Sequence, residues 1–146
     1  MTADDEQITP VRPEYTGLSY LTTIIRPGNA AYRTAMSLAG KGNYNVVSSG
    51  TMLVVMRLDD GAYWIATGMR LPETWNTDND LFSDPPALRQ WLLKEHFAEW
   101  TQAQRDMIEH SEGSFRFWPL YATPMEGLEW NTVPGVTLIG DAAHVW

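Results

Sequence analysis

Hydrophobic and polar positions change their spacing several times along the chain, and each change marks a predicted element. Runs rich in β-branched and aromatic residues predict strands at residues 14–25, 44–50, 51–58, 62–71 and 114–124. Apolar residues at helical spacing predict helices over residues 30–39, 83–100 and 101–110. Residues 73–84 show no period and are expected to be irregular, and a short apolar run at 136–139 predicts one more buried strand.

The links between these elements carry turn signals. Asn29 precedes the first helix as a candidate cap, and Gly40 follows it. The sequence Asp59-Asp60-Gly61 predicts a hairpin, because Asp-Gly accepts the positive φ angles of a tight turn. The element order predicts an α+β fold, with a largely antiparallel mixed sheet and helices packed on one of its faces.

Composition and charge exclude several classes of protein. Of the 146 residues, 44% are hydrophobic and 19% are charged, which is the balance of a folded chain. A formal net charge of −8 argues against nucleic acid and anionic membranes as partners, since both attract clustered Lys and Arg. The chain has no cysteine, which excludes disulfides and thiolate metal sites. Neither a signal peptide nor an apolar run of about 18 residues is visible, so a cytoplasmic location is expected.

Residue pairs with catalytic or metal-binding spacing are few. His96 and Glu99 lie three apart on a predicted helix, as metal ligands can, but a solvated helix face is favoured and no metal is expected. Asp141 and His144 have the same spacing, which is weak support for an acid–base pair, so no catalytic residue is assigned. The sequence contains neither Gly-x-Ser-x-Gly nor Gly-x-Gly-x-x-Gly, and Ser48-Ser49-Gly50 is interpreted as a turn.

One strand face has two open interpretations. Alternation along residues 62–71 places Trp64, Ala66 and Gly68 on one face, with Tyr63 and Ile65 on the other. The Trp64 face is either an ordinary core face or the wall of a cavity for a flat apolar ligand. In the second interpretation the small Ala66 and Gly68 leave room beside the indole.

Three stretches resemble one enzyme family. "FWPLYATPMEGLEWNTVPGVTLIGDAAH" (117–144) resembles the approach to the second flavin motif of the class A FAD-dependent monooxygenases. Aromatic-ring hydroxylases and tetracycline-inactivating monooxygenases are the most similar groups. "DDGAYWIATGMRLPETW" (59–75) is similar to a hairpin of their substrate-domain sheet, and "PEYTGLSY" (13–20) to its first strand. The resemblance covers most of residues 13–144.

The resemblance implies a chemistry and a set of site residues. Family members hydroxylate aromatic or polycyclic substrates with FAD, which NAD(P)H reduces, and the cofactor carries the reaction. By resemblance, Gly140, Asp141 and Ala142 would contact FAD, with Asp141 accepting hydrogen bonds from ribityl or ribose hydroxyls. Trp64 and Ala66 would face the substrate and the flavin ring. No residue of this chain has an acid–base role in that scheme.

Other family motifs are missing from the 146 residues, among them the glycine-rich turn that holds the FAD pyrophosphate. We therefore expect a fragment with a loose segment at 1–13, a substrate-binding sheet domain at 14–130, and the last strand and Gly-Asp motif of an FAD domain at 131–146. We expect it to be inactive alone, and its missing FAD domain is a candidate partner. Two alternatives stay open: a non-catalytic binding module for a flat apolar molecule, and the inert product of a truncated gene.

Overall fold

The structure, a computed structural model, describes residues 12–125, 134, 135, 137 and 139. Its strands are β1 Glu14–Ile25, β2 Asn43–Ser48, β3 Thr51–Arg57, β4 Tyr63–Arg70 and β5 Glu112–Ala122. Its helices are α1 Tyr32–Ala39, α2 Trp75–Asp78, α3 Pro85–Trp91 and α4 Gln102–Glu109. These elements confirm the predicted strands up to residue 122 and the predicted helices at 30–39 and 101–110. The strand predicted at 136–139 lies outside the described residues.

Two predictions for the middle of the chain are wrong in part. Residues 73–84 are not irregular: they contain α2 and a 3₁₀ turn, Asp80–Ser83, in which Asn79 Oδ1 accepts a hydrogen bond from the Leu81 amide at 3.0 Å. The helix predicted to reach residue 100 continues from α3 as a π-helical turn over Leu92–His96 and ends there. Turn and bend residues follow as far as residue 100, so the apolar residues in this part belong to two shorter segments.

In the part of the chain that the structure describes, the sheet has five strands in the order β2-β3-β4-β1-β5. The described pairings β1–β4, β2–β3 and β3–β4 are all antiparallel, which confirms the predicted sheet. Both turn predictions are confirmed as well. The β2–β3 hairpin turns through two residues with positive φ, Ser49 (50°) and Gly50 (77°), and the β3–β4 link closes with Gly61 at 90°.

The hydrophobic core lies on one face of the sheet. Alternate residues of β4, among them Tyr63, Ile65 and Met69, point toward this core. Every buried side chain of a described helix belongs to the same cluster: Ala35 and Ala39 from α1, Trp75 from α2, Leu88 from α3, Leu92 and Leu93 from the π turn, and Met107 and Ile108 from α4. The helices therefore cover one face, as the sequence predicts.

The chain divides into two compact units. The larger comprises Gly17–Trp118 and contains the helices, β2, β3 and β4. The smaller comprises Met1–Thr16 and Pro119–Trp146. Within its described part, the rings of Tyr15 and Tyr121 lie 5.8 Å apart, and Thr16 Oγ1 donates a hydrogen bond to the Leu120 carbonyl at 3.0 Å. In the described part of the chain, no helix is long and apolar enough to span a membrane.

Candidate functional site

The candidate site is the sheet face opposite the helices, which we call the open face. Its position follows from register, because residues directly opposite in neighbouring strands point to the same side. Trp64 on β4 pairs with Met56 on β3 and with Ile24 on β1. Its central residues are Tyr20, Thr22, Ile24, Met52, Val54, Met56, Trp64, Ala66, Gly68 and Trp118. Register also places Leu18 on β1 and Asn43, Asn45 and Val47 on β2 on this side.

One aromatic ring covers the open face near the end of β4. Tyr20 pairs with Gly68, and a Cβ added to Gly68 would lie 2.6 Å from Cε1 of Tyr20. The ring therefore lies across β4 at a position where only glycine leaves space for it. Its hydroxyl reaches Sδ of Met52 on β3 at 3.2 Å, so the side chain connects three strands. The room predicted beside Gly68 is thus filled by Tyr20.

The two residues predicted to face a substrate differ in accessibility. Trp64 is half-buried and keeps accessible surface on the open face. Ala66 has no exposed surface, although it lies on this face between Thr22 and Val54. A ligand on this surface would therefore touch Trp64 directly. Ala66 would not touch it, because its neighbours cover it.

Trp118 belongs to the same face and was missed by the sequence pattern. Its indole Nε1 donates to Oγ1 of Thr22 at 3.0 Å, while 51% of the residue stays exposed. The sequence did contain a signal for this position. Phe115 and Phe117 alternate toward the core, so Trp118, which follows Phe117, must point to the opposite side of the sheet. Indole groups from two strands therefore share this surface.

The charge of the open face is simple. None of its ten central residues is a carboxylate or carries a formal charge, but Arg116, two positions before Trp118 on β5, points to the same side and is exposed. Arg70 follows Gly68 by two positions on β4, so it points to the same side, and it is exposed. Its Nη1 lies 3.6 Å from where a Cβ of Gly17 would be. The centre of the surface is thus apolar and aromatic, and its cations are Arg70 at the end of β4 and Arg116 on the edge strand β5.

The other candidate ligands in the described chain lie on the helical side. His96 packs edge-on against Trp91, with ring centroids 4.5 Å apart, and burial lowers the pKa of its imidazole. Because the helix ends at His96, Glu99 does not lie one helical turn further on, and the spacing argument for a metal fails.

Asp106, Glu109 and His110 bring ligand atoms within 4.8 Å of one another at the end of α4. Asp106 Oδ1 already accepts from Gln102 Nε2 at 2.7 Å.

A surface groove of about 770 Å³ lies beside this cluster, away from the open face. Arg89 lines it, but its Nε and Nη2 donate to Ser111 Oγ at 3.1 Å and to the Gly113 carbonyl at 2.6 Å. The guanidinium also lies 5.3 Å from the Phe115 ring centroid. Arg89 therefore connects α3 to β5, which is a structural role.

Gly140, Asp141, Ala142 and His144 lie outside the described residues, so the flavin contacts and the acid–base pair remain predictions.

Comparison with solved structures identifies the fold. HpxO of Klebsiella pneumoniae, complexed with FAD and uric acid, matches with a TM-score of 0.61 and 20% identity over 92% of this chain and 31% of that chain. A salicylate hydroxylase substrate complex matches at 0.60 and 19% identity, over 92% and 34%. Tetracycline destructase Tet(51) matches at 0.50 and 13% identity, over 99% and 35%.

Over the part that it spans, the chain therefore has the fold of the class A flavin monooxygenases, as the resemblance predicts. It spans about a third of the length of these proteins. At such identities the likeness establishes the fold and leaves the activity to be argued from the site. No protein-family model matches the sequence, and no curated protein matches it.

Proposed function

We propose that the chain supplies the substrate-binding sheet of an FAD-dependent hydroxylase, with the open face turned toward the substrate. The observation that carries the proposal is the composition of that face. The described helices bury the opposite face, while Trp64 and Trp118 keep accessible aromatic surface on this one. The fold shared with FAD-dependent hydroxylases adds support, because it is the fold on which neighbours with bound FAD are built.

The chemistry of the open face favours a flat aromatic substrate. Indole rings offer a large π surface with little side-chain entropy to lose, and Met52 and Met56 adapt their shape to irregular ligands. An anionic group on the ligand would meet no carboxylate on this face and would find Arg70 at its end. We therefore infer a neutral or anionic aromatic substrate in preference to a cationic one.

We further propose that Gly140, Asp141 and Ala142 contribute to an FAD site, with Asp141 accepting hydrogen bonds from sugar hydroxyls. FAD would supply the oxygen-transfer chemistry, and NAD(P)H would reduce it. Asp141 alone offers about two hydrogen bonds, each worth about 1 kcal/mol net. Micromolar affinity needs roughly 8 kcal/mol, so the 146-residue chain should bind FAD weakly and show no hydroxylase activity by itself.

Two fluorescence titrations of the purified chain test this proposal. In the first, FAD is titrated with protein, and we expect no tight saturable quenching. In the second, tryptophan emission is followed while salicylate or uric acid is added. Saturable quenching that Trp64→Phe or Trp118→Phe weakens would support the open face as a binding surface. No saturable change with either probe would contradict it.

The stand-alone binding module remains the second candidate, because the open face is formed by this chain alone. A cofactor-independent module would bind an aromatic probe with the same affinity whether or not the rest of a flavin enzyme is supplied. Supplying a separately expressed FAD domain with FAD and NADH or NADPH separates the two. Product formation supports the hydroxylase, and binding without turnover supports the module. A chain that aggregates on expression would instead favour the inert product.

A further inference from the structure

Among the described residues, β2 and β5 are the edge strands of the sheet, and they differ in how they discourage pairing with another chain. The edge strand β5 contains Arg116 and Pro119, and Gly113 near its start has a φ of 69°. Charges, proline and irregular backbone at an edge all oppose the addition of a further strand. The opposite edge strand β2 has the sequence Asn-Tyr-Asn-Val-Val-Ser, with neither charge nor proline.

The backbone of β2 is also regular. It pairs with β3 residue for residue, from Asn43 opposite Met56 to Ser48 opposite Thr51, without a bulge. Such an edge is uninterrupted and presents its unused amide and carbonyl groups at every second residue. The side chain of Val47 on this strand is 69% exposed.

The hairpin geometry tells which backbone groups point outward. In a two-residue hairpin the residues that flank the turn bond to each other, and the bonding direction alternates along each strand. Ser48, Val46 and Tyr44 therefore bond toward β3, which leaves Asn43, Asn45 and Val47 with outward amides and carbonyls. Within the described chain, no hydrogen bond from another element reaches these groups.

We propose that β2 is a self-association edge, on which a second copy of this chain adds its own β2 in antiparallel orientation. A two-fold axis perpendicular to the sheet joins two five-stranded sheets edge to edge and keeps both open faces on one side. In the symmetric register Asn45 lies opposite Asn45 of the second copy, and Asn43 lies opposite Val47. All three residues have backbone amides and carbonyls that point away from β3, so each amide of one copy meets a carbonyl of the other.

The uncharged sequence of β2 makes this edge the part of the sheet border where two copies repel each other least. The chain has a net charge of −8, so two copies repel each other over most of their surface. The uncharged β2 strand, preceded by Lys41, lets two copies approach without opposing carboxylates. A strand added from another protein would use the same backbone groups, and mixed-species experiments would detect it as association that the pure chain lacks.

Sedimentation equilibrium of the full 146-residue chain is the first test. Between about 10 µM and about 1 mM protein, the mass should rise from 16.5 kDa toward twice that value. Asn45→Pro removes an amide that the monomer does not use, and should weaken dimerisation at least about tenfold with an unchanged circular dichroism spectrum. Asn45→Thr keeps the amide and should dimerise like the parent.

Cross-linking gives a readout that does not depend on a proline being tolerated. The chain has no cysteine, so Asn45→Cys introduces a single thiol. Opposite residues at a two-fold axis have Cα atoms about 5.5 Å apart, within disulfide range. Asn45→Cys should therefore oxidise to a covalent dimer much faster than Glu99→Cys, an exposed control in a turn.

Each outcome decides the proposal. A concentration-dependent dimer, lost in Asn45→Pro and captured by Asn45→Cys, supports it. A monomer throughout the concentration range overturns it. Association that survives Asn45→Pro, with equal cross-linking at residues 45 and 99, also overturns it, because the copies then meet through another surface. If Asn45→Pro unfolds, Val47→Lys replaces it, since a lysine on an edge opposes pairing.

Discussion

The Tyr20 ring lies directly over Gly68, at a distance that leaves no space for a side chain at residue 68. A Cβ there would be 2.6 Å from Cε1 and 3.1 Å from Cδ1 of Tyr20. The same tyrosine ends on Sδ of Met52, across the strand that carries Gly68. One ring thus ties β1, β4 and β3 together on the open face, and glycine at residue 68 is what permits it.

Gly68→Ala should destabilise the chain by about 1–3 kcal/mol, because the Tyr20 ring must leave its position. Urea unfolding measures the change. Gly42→Ala is the matched control: its added Cβ would have only the Ala39 carbonyl oxygen, at 3.8 Å, as a close neighbour. Its stability should stay level or rise slightly. In a Tyr20→Ala background Gly68→Ala should cost much less, and an undiminished cost would refute the steric explanation.

Substitution of a tryptophan on the core face should mainly reduce stability, whereas substitution of one on the open face should mainly weaken ligand binding. Trp75 is 6% exposed and lies between Trp91 and Phe117, with ring centroids 5.3 and 6.2 Å away. Trp75→Ala should cost about 3–5 kcal/mol of unfolding free energy. Trp118→Phe on the open face should cost under about 1 kcal/mol and weaken binding of an aromatic probe about tenfold. A destabilisation by Trp118→Phe as large as that of Trp75→Ala would contradict this division.

Tyr63→Phe should be more costly than Tyr32→Phe. The fully buried Tyr63 donates its hydroxyl to the Gly40 carbonyl at 2.6 Å and accepts from Arg57 Nη1 at 3.0 Å. Losing it leaves a carbonyl without this donor, at a cost of about 1–2 kcal/mol. Tyr32 donates to the Gly61 carbonyl at 2.9 Å, but it is only partly buried, so water can replace it. Thermal unfolding of both variants compares them, and equal losses would show that burial does not decide the cost.

Glu112 should make stability depend on acid pH. Its carboxylate accepts from the Arg26 amide at 2.8 Å, from Arg26 Nη1 at 3.1 Å and from Asn29 Nδ2 at 2.9 Å. These contacts, the Arg26 amide first, hold the pKa of Glu112 below its ordinary value. The unfolded chain then binds the proton more readily, so this stabilisation is complete above the ordinary glutamate pKa and is lost as pH falls through the lowered one.

Glu112→Gln measures this contribution. The carboxylate is partly exposed, so solvent screening limits the loss at neutral pH to about 1 kcal/mol. The difference in unfolding free energy between parent and variant should shrink as pH falls from about 7 to about 3, because Glu112 of the parent becomes protonated. Lys94, whose pKa is raised by an exposed contact with Glu95, offers a control: Lys94→Gln should leave the acid dependence unchanged. If this difference in unfolding free energy stayed constant with pH, Glu112 would not be a source of the acid dependence.

Much of the fold could be predicted from local pattern. Strand alternation and Asp-Gly or Ser-Gly turns act within a few residues, so β1 to β4 and both hairpins appear where the sequence predicts them. The division of β4 into a Tyr63 face and a Trp64 face also follows from period alone. Helix ends were less predictable: Trp100 continues the apolar pattern, yet the π turn at Leu92–His96 ends the helix, because packing overrides local spacing.

The sequence alone determined which residues alternate, which turns close the hairpins, and that the chain is acidic and free of cysteine. Only the tertiary structure decided what each face contacts, because that depends on residues distant in sequence. Tyr20 fills the space over Gly68 from 48 residues away, and Trp118 joins Thr22 from 96 residues away. Ala66 is covered by its neighbours for the same reason. The alternation along a strand predicts the side of the sheet to which a residue points. The register between strands determines which residues it contacts there.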